Sequence, residues 1–203
     1  MPLLVTGTIG IDTVETPTAS VEQVSGGSCA YFAVAAAFHH SPVRVVGVVG
    51  GDWPAEHEKL LRSVSGLCLD GLQKRPDSKT FAWGGRYFDN MNDRETLFTE
   101  LGVLEEEPPE IPYLYQDSRM IFLANSHPNI QLDLLDKFPS RTLAVADTMD
   151  LWINIANNEL HVLLQKLDGF IINDSEAEMI TGISDPIAAG QKILELGPSF
   201  VIV

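Results

Sequence analysis

The chain has 203 residues, with 13 Lys+Arg against 28 Asp+Glu and a formal charge of −15. Its 45% hydrophobic and 20% charged residues supply enough apolar material for a packed core, which excludes a disordered chain. The acidic balance, with no basic cluster, argues against nucleic acid or an anionic membrane as partner, because that affinity comes from clustered Lys and Arg.

The longest apolar run, Cys29 to Phe38, falls short of the roughly 18–20 residues of a membrane-spanning helix. Met1-Pro2-Leu3-Leu4-Val5 has no basic region, so no signal peptide is expected. Cys29 and Cys68 stand without a C-x-x-C pair or a His/Cys cluster, which fits a reducing cytoplasm and gives no support for structural zinc. The length suits one domain over residues 1–203.

In chain order, residues 3–8 read as a buried strand, and residues 12–24 as short hairpin-like strands outside the main sheet. Residues 28–39 are Ala-rich and apolar all round, as in a buried helix; 43–49 are a strand and 55–63 an amphipathic helix. Residues 67–102 carry alternating segments, Thr80-Phe81-Ala82-Trp83 and Arg86-Tyr87-Phe88, split by Gly84-Gly85, and read as a second hairpin-like region. Residues 104–112 are too proline-rich for a helix. Strands at 120–124, 142–146, 170–172 and 200–203 then alternate with helices at 130–138, 157–167, 175–181 and 186–196. This rhythm predicts an α/β fold, a three-layer αβα sandwich around a mostly parallel sheet.

Gly26-Gly27 stands immediately before the Ala-rich helix, where glycines permit close approach of a ligand and a helix N-terminus offers N–H groups. A plain turn capped by Ser28 or Ser25 explains the same residues. Gly47-Val48-Val49-Gly50-Gly51-Asp52-Trp53-Pro54 lacks the spacing of a dinucleotide fingerprint, no phosphate loop occurs elsewhere, and Asp52 is expected to cap the helix starting near Pro54. In Asn173-Asp174-Ser175-Glu176, Asn173 and Glu176 share the first turn of a helix at the ligand-binding edge of a parallel sheet. They suit waters around a magnesium–nucleotide, and equally a capping box; spacing does not separate the two. Asp12 suits hydroxyls of a substrate or an Asx turn, and Asp147 and Asp150 end another strand as ligand contacts or caps.

The order of these features is more specific than any one of them. Gly7-x-x-Gly10-x-Asp12, Gly26-Gly27 opening an Ala-rich helix, Gly47-x-x-Gly50-x-Asp52 and Asn173-x-x-Glu176 together resemble the ribokinase-like (PfkB) carbohydrate kinase family over nearly the whole chain. The stretch 80–102, with Asn92-Asp93-Arg94-Glu95, looks like a sugar-kinase branch other than ribokinase itself. The resemblance implies ATP-dependent phosphoryl transfer, with Mg2+, to a hydroxyl of a sugar or nucleoside-like polyol. It implies that Asp12, Gly26 and Gly27 hold substrate hydroxyls, that residues 12–24 and 67–102 form a small β lid, and that Asn173 and Glu176 organise magnesium near the phosphates. A homodimer through the lid follows from the same resemblance.

Three departures qualify it. Tyr31 stands where many members carry an Asn that contacts the sugar, and Asp150 where related kinases often have Asn. The Gly-Ala-Gly-Asp motif that holds the family's catalytic base is not in the sequence, which ends on Phe200-Val201-Ile202-Val203. The expectation is therefore the N-terminal part of such a kinase, its fold incomplete at the C-terminus and inactive alone. The alternative is a non-catalytic polyol-binding or interaction protein derived from one.

Overall fold

Runs such as Leu3-Leu4-Val5 and Val43-Arg44-Val45-Val46 are β-branched or apolar at nearly every position, and the chain forms strands there that are buried on both faces. The computed structural model describes residues 1–91 and 93–203; Asn92, part of the sugar-kinase-like stretch, lies outside the described residues. The strands are β1 (Leu3–Thr6), β2 (Gly10–Thr16), β3 (Ala19–Gly26), β4 (Val43–Gly50), β5 (Leu67–Arg75), β6 (Phe81–Tyr87), β7 (Arg94–Glu100), β8 (Met120–Leu123), β9 (Leu143–Ala146), β10 (Gly169–Ile171) and β11 (Phe200–Ile202). The helices are α1 (Ser28–Ala37), α2 (Ala55–Ser63), α3 (Pro128–Asp136), α4 (Asp150–Ile155), α5 (Asn157–Leu164), α6 (Asp174–Thr181) and α7 (Pro186–Leu194). The fold is α/β, a mostly parallel sheet flanked by helices with a second, smaller sheet. The chain divides into two compact units, Met1–Thr6 with Tyr113–Val203, and Gly7–Pro112.

In the first unit the strands lie in the order β11-β10-β9-β8-β1, every pair parallel. Leu3 pairs with Met120, Met120 with Leu143, and Gly169 with both Val145 and Phe200. Leu4, Ile121, Ala144 and Phe170 are fully buried along these strands, and Leu134, Leu135, Leu160, Leu163 and Leu164 bring the apolar stripes of α3 and α5 into the core. Helix α4 is absent from the sequence expectation: six residues are too few for a periodic pattern, and burial of Trp152 and Ile153 holds it in place.

In the second unit β4 and β5 pair in parallel, and β3-β2-β6-β7 form a four-stranded sheet. Within it β2 runs antiparallel to β3 and parallel to β6, and β6 antiparallel to β7. The hairpin-like reading of residues 12–24 agrees with β2 and β3. For residues 67–102 the structure differs in part: β5 joins β4 through Val43–Leu67 to Gly50–Arg75 register, and only β6 and β7 belong to the small sheet. Leu69 and Gly71 of β5 are buried beside the buried Val46 and Val48 of β4, so tertiary burial decides which sheet takes this strand. No helix among the described residues is long and apolar enough to cross a membrane.

Candidate functional site

In the second unit, β2 brings Asp12 opposite Val24 of β3, at an irregularity in the register between Asp12 and Val14. The Asp12 carboxylate occupies the space that a Cβ on Gly26 would fill, so glycine at that position is what admits it. Gly27 has φ 91°, a left-handed conformation, and any Cβ there would collide with the Thr8 carbonyl. That close approach lets the Cys29 N–H donate to the Thr8 carbonyl at 3.0 Å and docks the start of α1 on the β1–β2 connection. Gly27 is the N-cap of α1 and no side chain caps the helix, so neither Ser25 nor Ser28 is the cap of a plain turn there.

Asp12 Oδ1 is buried and has no hydrogen-bond partner. Burial pushes the Asp12 carboxyl up to about 6 from the ordinary 3.8. A buried carboxylate oxygen without a donor is costly unless a ligand or water supplies one. Tyr31, on the following helix, is 65% exposed, and its hydroxyl donates to the Ser25 carbonyl at 3.0 Å. Its ring lines a groove with Val24, Ser25, Val34 and Phe38.

Asp52 does not cap α2. The N-cap of that helix is Pro54, without a side-chain cap, and Asp52 Oδ1 instead accepts from the Thr80 N–H and hydroxyl, both at 2.8 Å. Burial raises the Asp52 carboxyl, but the two Thr80 bonds and the nearby Lys79 ammonium outweigh it and hold it below its ordinary value. The Thr80 hydroxyl also accepts from the Gly50 N–H at 2.9 Å, tying the end of β4 to the entry of β6. A contact spanning 28 residues leaves no trace in local spacing, which is why the cap looked the better reading.

In the first unit, Asn173 and Glu176 follow β10 and form a complete capping box. Asn173 Oδ1 accepts from the Glu176 N–H at 2.8 Å, and Glu176 Oε2 accepts from the Asn173 N–H at 3.0 Å. Glu176 is 7% exposed. Asp150 opens α4 and accepts from the Leu151 N–H at 3.0 Å, while Asp147 stands at the end of β9, its N–H donating to the Leu123 carbonyl at 3.2 Å. Among the described residues no three His, Cys, Asp or Glu side chains gather as a metal site. Asn173 Oδ1 and Glu176 Oε2 are engaged by the helix start, so these two atoms do not fit a directly ligated magnesium ion, and the acidic first turn does not fit a bare phosphate; no catalytic step is built on either group.

Two further groupings escaped the sequence reading. Gln131 of α3 donates through Nε2 to the carbonyls of Leu123 (2.9 Å), Ala124 (3.3 Å) and Asp147 (3.1 Å), binding the ends of β8 and β9 together. Its signal was available: a lone amide at 131 shares the helix face of Leu134, Leu135 and Phe138, all buried. Asn125, beyond β8, accepts from the Trp152 indole N–H at 2.9 Å, a contact only the fold brings about.

No family model matches the chain. The chain is 27% identical over 208 residues to the cytidine kinase of Thermococcus kodakarensis, covering 100% of this chain and 72% of that protein. Among solved structures, the nucleoside kinase of Methanocaldococcus jannaschii, an archaeal member of the ribokinase family, is similar with a TM-score of 0.69 at 15% identity. The match covers 91% of this chain and 64% of that one, so this chain spans less than two thirds of the neighbour's length. The ribokinase of Arabidopsis thaliana, solved with ribose and ATP, matches with a TM-score of 0.72 at 19% identity over 98% of this chain and 70% of its own. Parallel strands with flanking helices, the small second sheet and these likenesses agree on one conclusion: the chain has the ribokinase-like fold.

Proposed function

We propose that this chain carries the substrate-hydroxyl side of a ribokinase-like kinase, one that transfers a phosphoryl group from ATP, with magnesium, to a hydroxyl of a sugar or nucleoside-like polyol. The observation that carries this reading is the buried, unpartnered Oδ1 of Asp12, set against Gly26 at the N-terminal approach to α1. As an ionised carboxylate it accepts from substrate hydroxyls and fixes their orientation, and orientation with charge neutralisation is most of what phosphoryl transfer needs from a protein. The donor is inferred from the Arabidopsis ribokinase, solved with ATP; Asn173 and Glu176 are proposed to act near it by shaping the start of α6. Asp147 and Asp150 remain proposed contacts on the same edge of their own unit.

The Gly-Ala-Gly-Asp motif that holds the family's base is not in the sequence. The 203-residue chain is therefore proposed to bind a polyol without appreciable transfer. The test combines two measurements: calorimetry of the chain with sugars and nucleosides, and a coupled assay with magnesium-ATP. Polyol binding that depends on Asp12, with no turnover, is the expected result. Turnover at an ordinary kinase rate of about 1–100 per second would refute the inactivity. No binding by any polyol would refute the site. The reading as a purely non-catalytic interaction protein is separated by the same assay on a chain extended to the full length of its relatives, where turnover excludes it.

A further inference from the structure

Helix α1 is apolar on every side, and a helix of that kind belongs in an interior. The chain itself covers only one of its faces. Cys29, Ala30 and Ala33 are buried, while Tyr31, Val34, Ala35 and, at the C-cap, Phe38 form the opposite stripe. These four stand at the i, i+3, i+4, i+7 spacing by which one helix packs on another, and Phe38 is 79% exposed. Beside the stripe, Leu60 and Leu61 of α2 complete a groove of about 710 Å³ that lies wholly within the second unit.

Charge narrows what can cover this groove. The chain carries −15, yet residues 23–43 contain no Asp, Glu, Lys or Arg, and none lines the groove. Copies of so acidic a chain repel each other where charged faces meet, and here they can meet without setting carboxylate against carboxylate in the lining. A basic partner, in contrast, finds no carboxylate in that lining to select it.

Shape and area point the same way. One surface holds both a projecting side chain, Phe38, and a recess walled by Tyr31, Val34, Leu60 and Leu61, so it is complementary to itself, as a two-fold contact requires. The exposed parts of Phe38, Tyr31 and Leu60, at 79%, 65% and 58%, amount to roughly 400 Å² of apolar surface. A standard interface buries about 800 Å² per partner, a little over half of it apolar, and the patch supplies that share. Covering Tyr31 strands no polar atom, because its hydroxyl already donates to the Ser25 carbonyl at 3.0 Å.

We propose that a second copy of this chain covers the groove, in a two-fold pairing in which Phe38 of each copy enters the recess between α1 and α2 of the other. The pairing makes no use of Asp12, and it differs from the pairing through the small sheet that the family resemblance implies.

The experiment is sedimentation equilibrium of the 203-residue chain between about 1 and 200 μM, at low salt (about 0.05 M) and high salt (about 0.5 M). It compares the natural chain with Phe38→Ala, with Leu60→Gln and with Val21→Glu, the last on β3 at the edge of the small sheet. All three side chains are exposed, so the variants fold, and circular dichroism verifies it. The expected result is a monomer–dimer equilibrium that high salt tightens, because salt screens the repulsion between two acidic chains. Phe38→Ala and Leu60→Gln each raise the dissociation constant at least about tenfold, and Val21→Glu leaves it within about twofold. A monomer at every concentration overturns the proposal. So does a dimer that Val21→Glu disperses and the groove variants do not, since the small sheet then holds the copies together. A dimer that high salt weakens overturns it too, because ion pairs then carry the contact. Growth beyond the dimer does the same, because a two-fold contact closes on itself.

Discussion

The Asp12 carboxylate lies where a side chain on Gly26 would have to stand, so the glycine and the acid are two halves of one feature. The Gly26-Gly27 pair was legible in the sequence as a close-approach motif, and the group that approaches Gly26 is Asp12 itself. Gly26→Ala is expected to push the carboxylate out of its place, destabilise the chain by about 1–3 kcal/mol and abolish polyol binding. Removing the carboxylate as well, in Gly26→Ala with Asp12→Ala, restores much of the stability and none of the binding. Chemical denaturation of the two single variants and the double variant measures the coupling; strictly additive losses would contradict it.

The Asp12 carboxyl titrates at about 6, against an ordinary 3.8, because burial disfavours its charge. A raised carboxyl favours the folded state while protonated, so its contribution is complete below pH 3.8 and disappears as the pH rises through about 6. At pH 8 the charged group opposes folding by at most about 3 kcal/mol, less where solvent reaches the side chain. Asp12→Asn is therefore expected to be more stable than the natural chain at pH 8 and equal to it below pH 4, while binding polyols at least about tenfold more weakly. In the natural chain, affinity for polyols falls as the pH drops through about 6. Denaturation and titration at both ends of that range check each part, and a variant less stable at pH 8 would reject the burial argument.

Thr80 connects three places, accepting from the Gly50 N–H and donating twice to Asp52. Thr80→Val keeps the shape, removes both hydroxyl bonds and leaves the Gly50 N–H unpaired, so a loss of about 1–3 kcal/mol is expected. The Asp52 carboxyl, held below its ordinary value, gives stability that is present above pH 3.8 and lost as the pH falls through its folded value. In Thr80→Val the folded value lies closer to 3.8, so that loss is smaller and is complete at a higher pH. Acid-unfolding curves of the two proteins test this, and coincident curves would show that the Thr80 bonds contribute little.

Gln131, 1% exposed, presents one amide to three carbonyls at the ends of β8 and β9. Gln131→Leu is expected to cost about 1–3 kcal/mol. Gln131→Glu should cost more, because an ionised carboxylate has no donor for those carbonyls and repels them. Thermal denaturation ranks the pair; the reverse order would place the amide's role in packing alone.

Periodicity and local composition were enough to place the strands from 3–8 to 200–203 and most of the helices, because parallel strands buried on both faces and amphipathic helices each write their burial into a short window. The order of Asp12, Gly26-Gly27 and Asn173-x-x-Glu176 likewise pointed to the ribokinase-like fold before any coordinates. The sequence could not decide between a cap and a ligand contact, since the same oxygen at the same spacing serves either. Only the tertiary structure shows Asn173 Oδ1 and Glu176 Oε2 capping the start of α6, takes Asp52 away from its own helix to Thr80, and leaves Asp12 buried with an oxygen unsatisfied. It also assigned residues 67–75 to β4 and turned Tyr31 and Phe38 into walls of one groove. These outcomes depend on which distant group arrives at each hydrogen-bonding atom, and that is settled by packing over tens of residues, beyond the reach of local spacing.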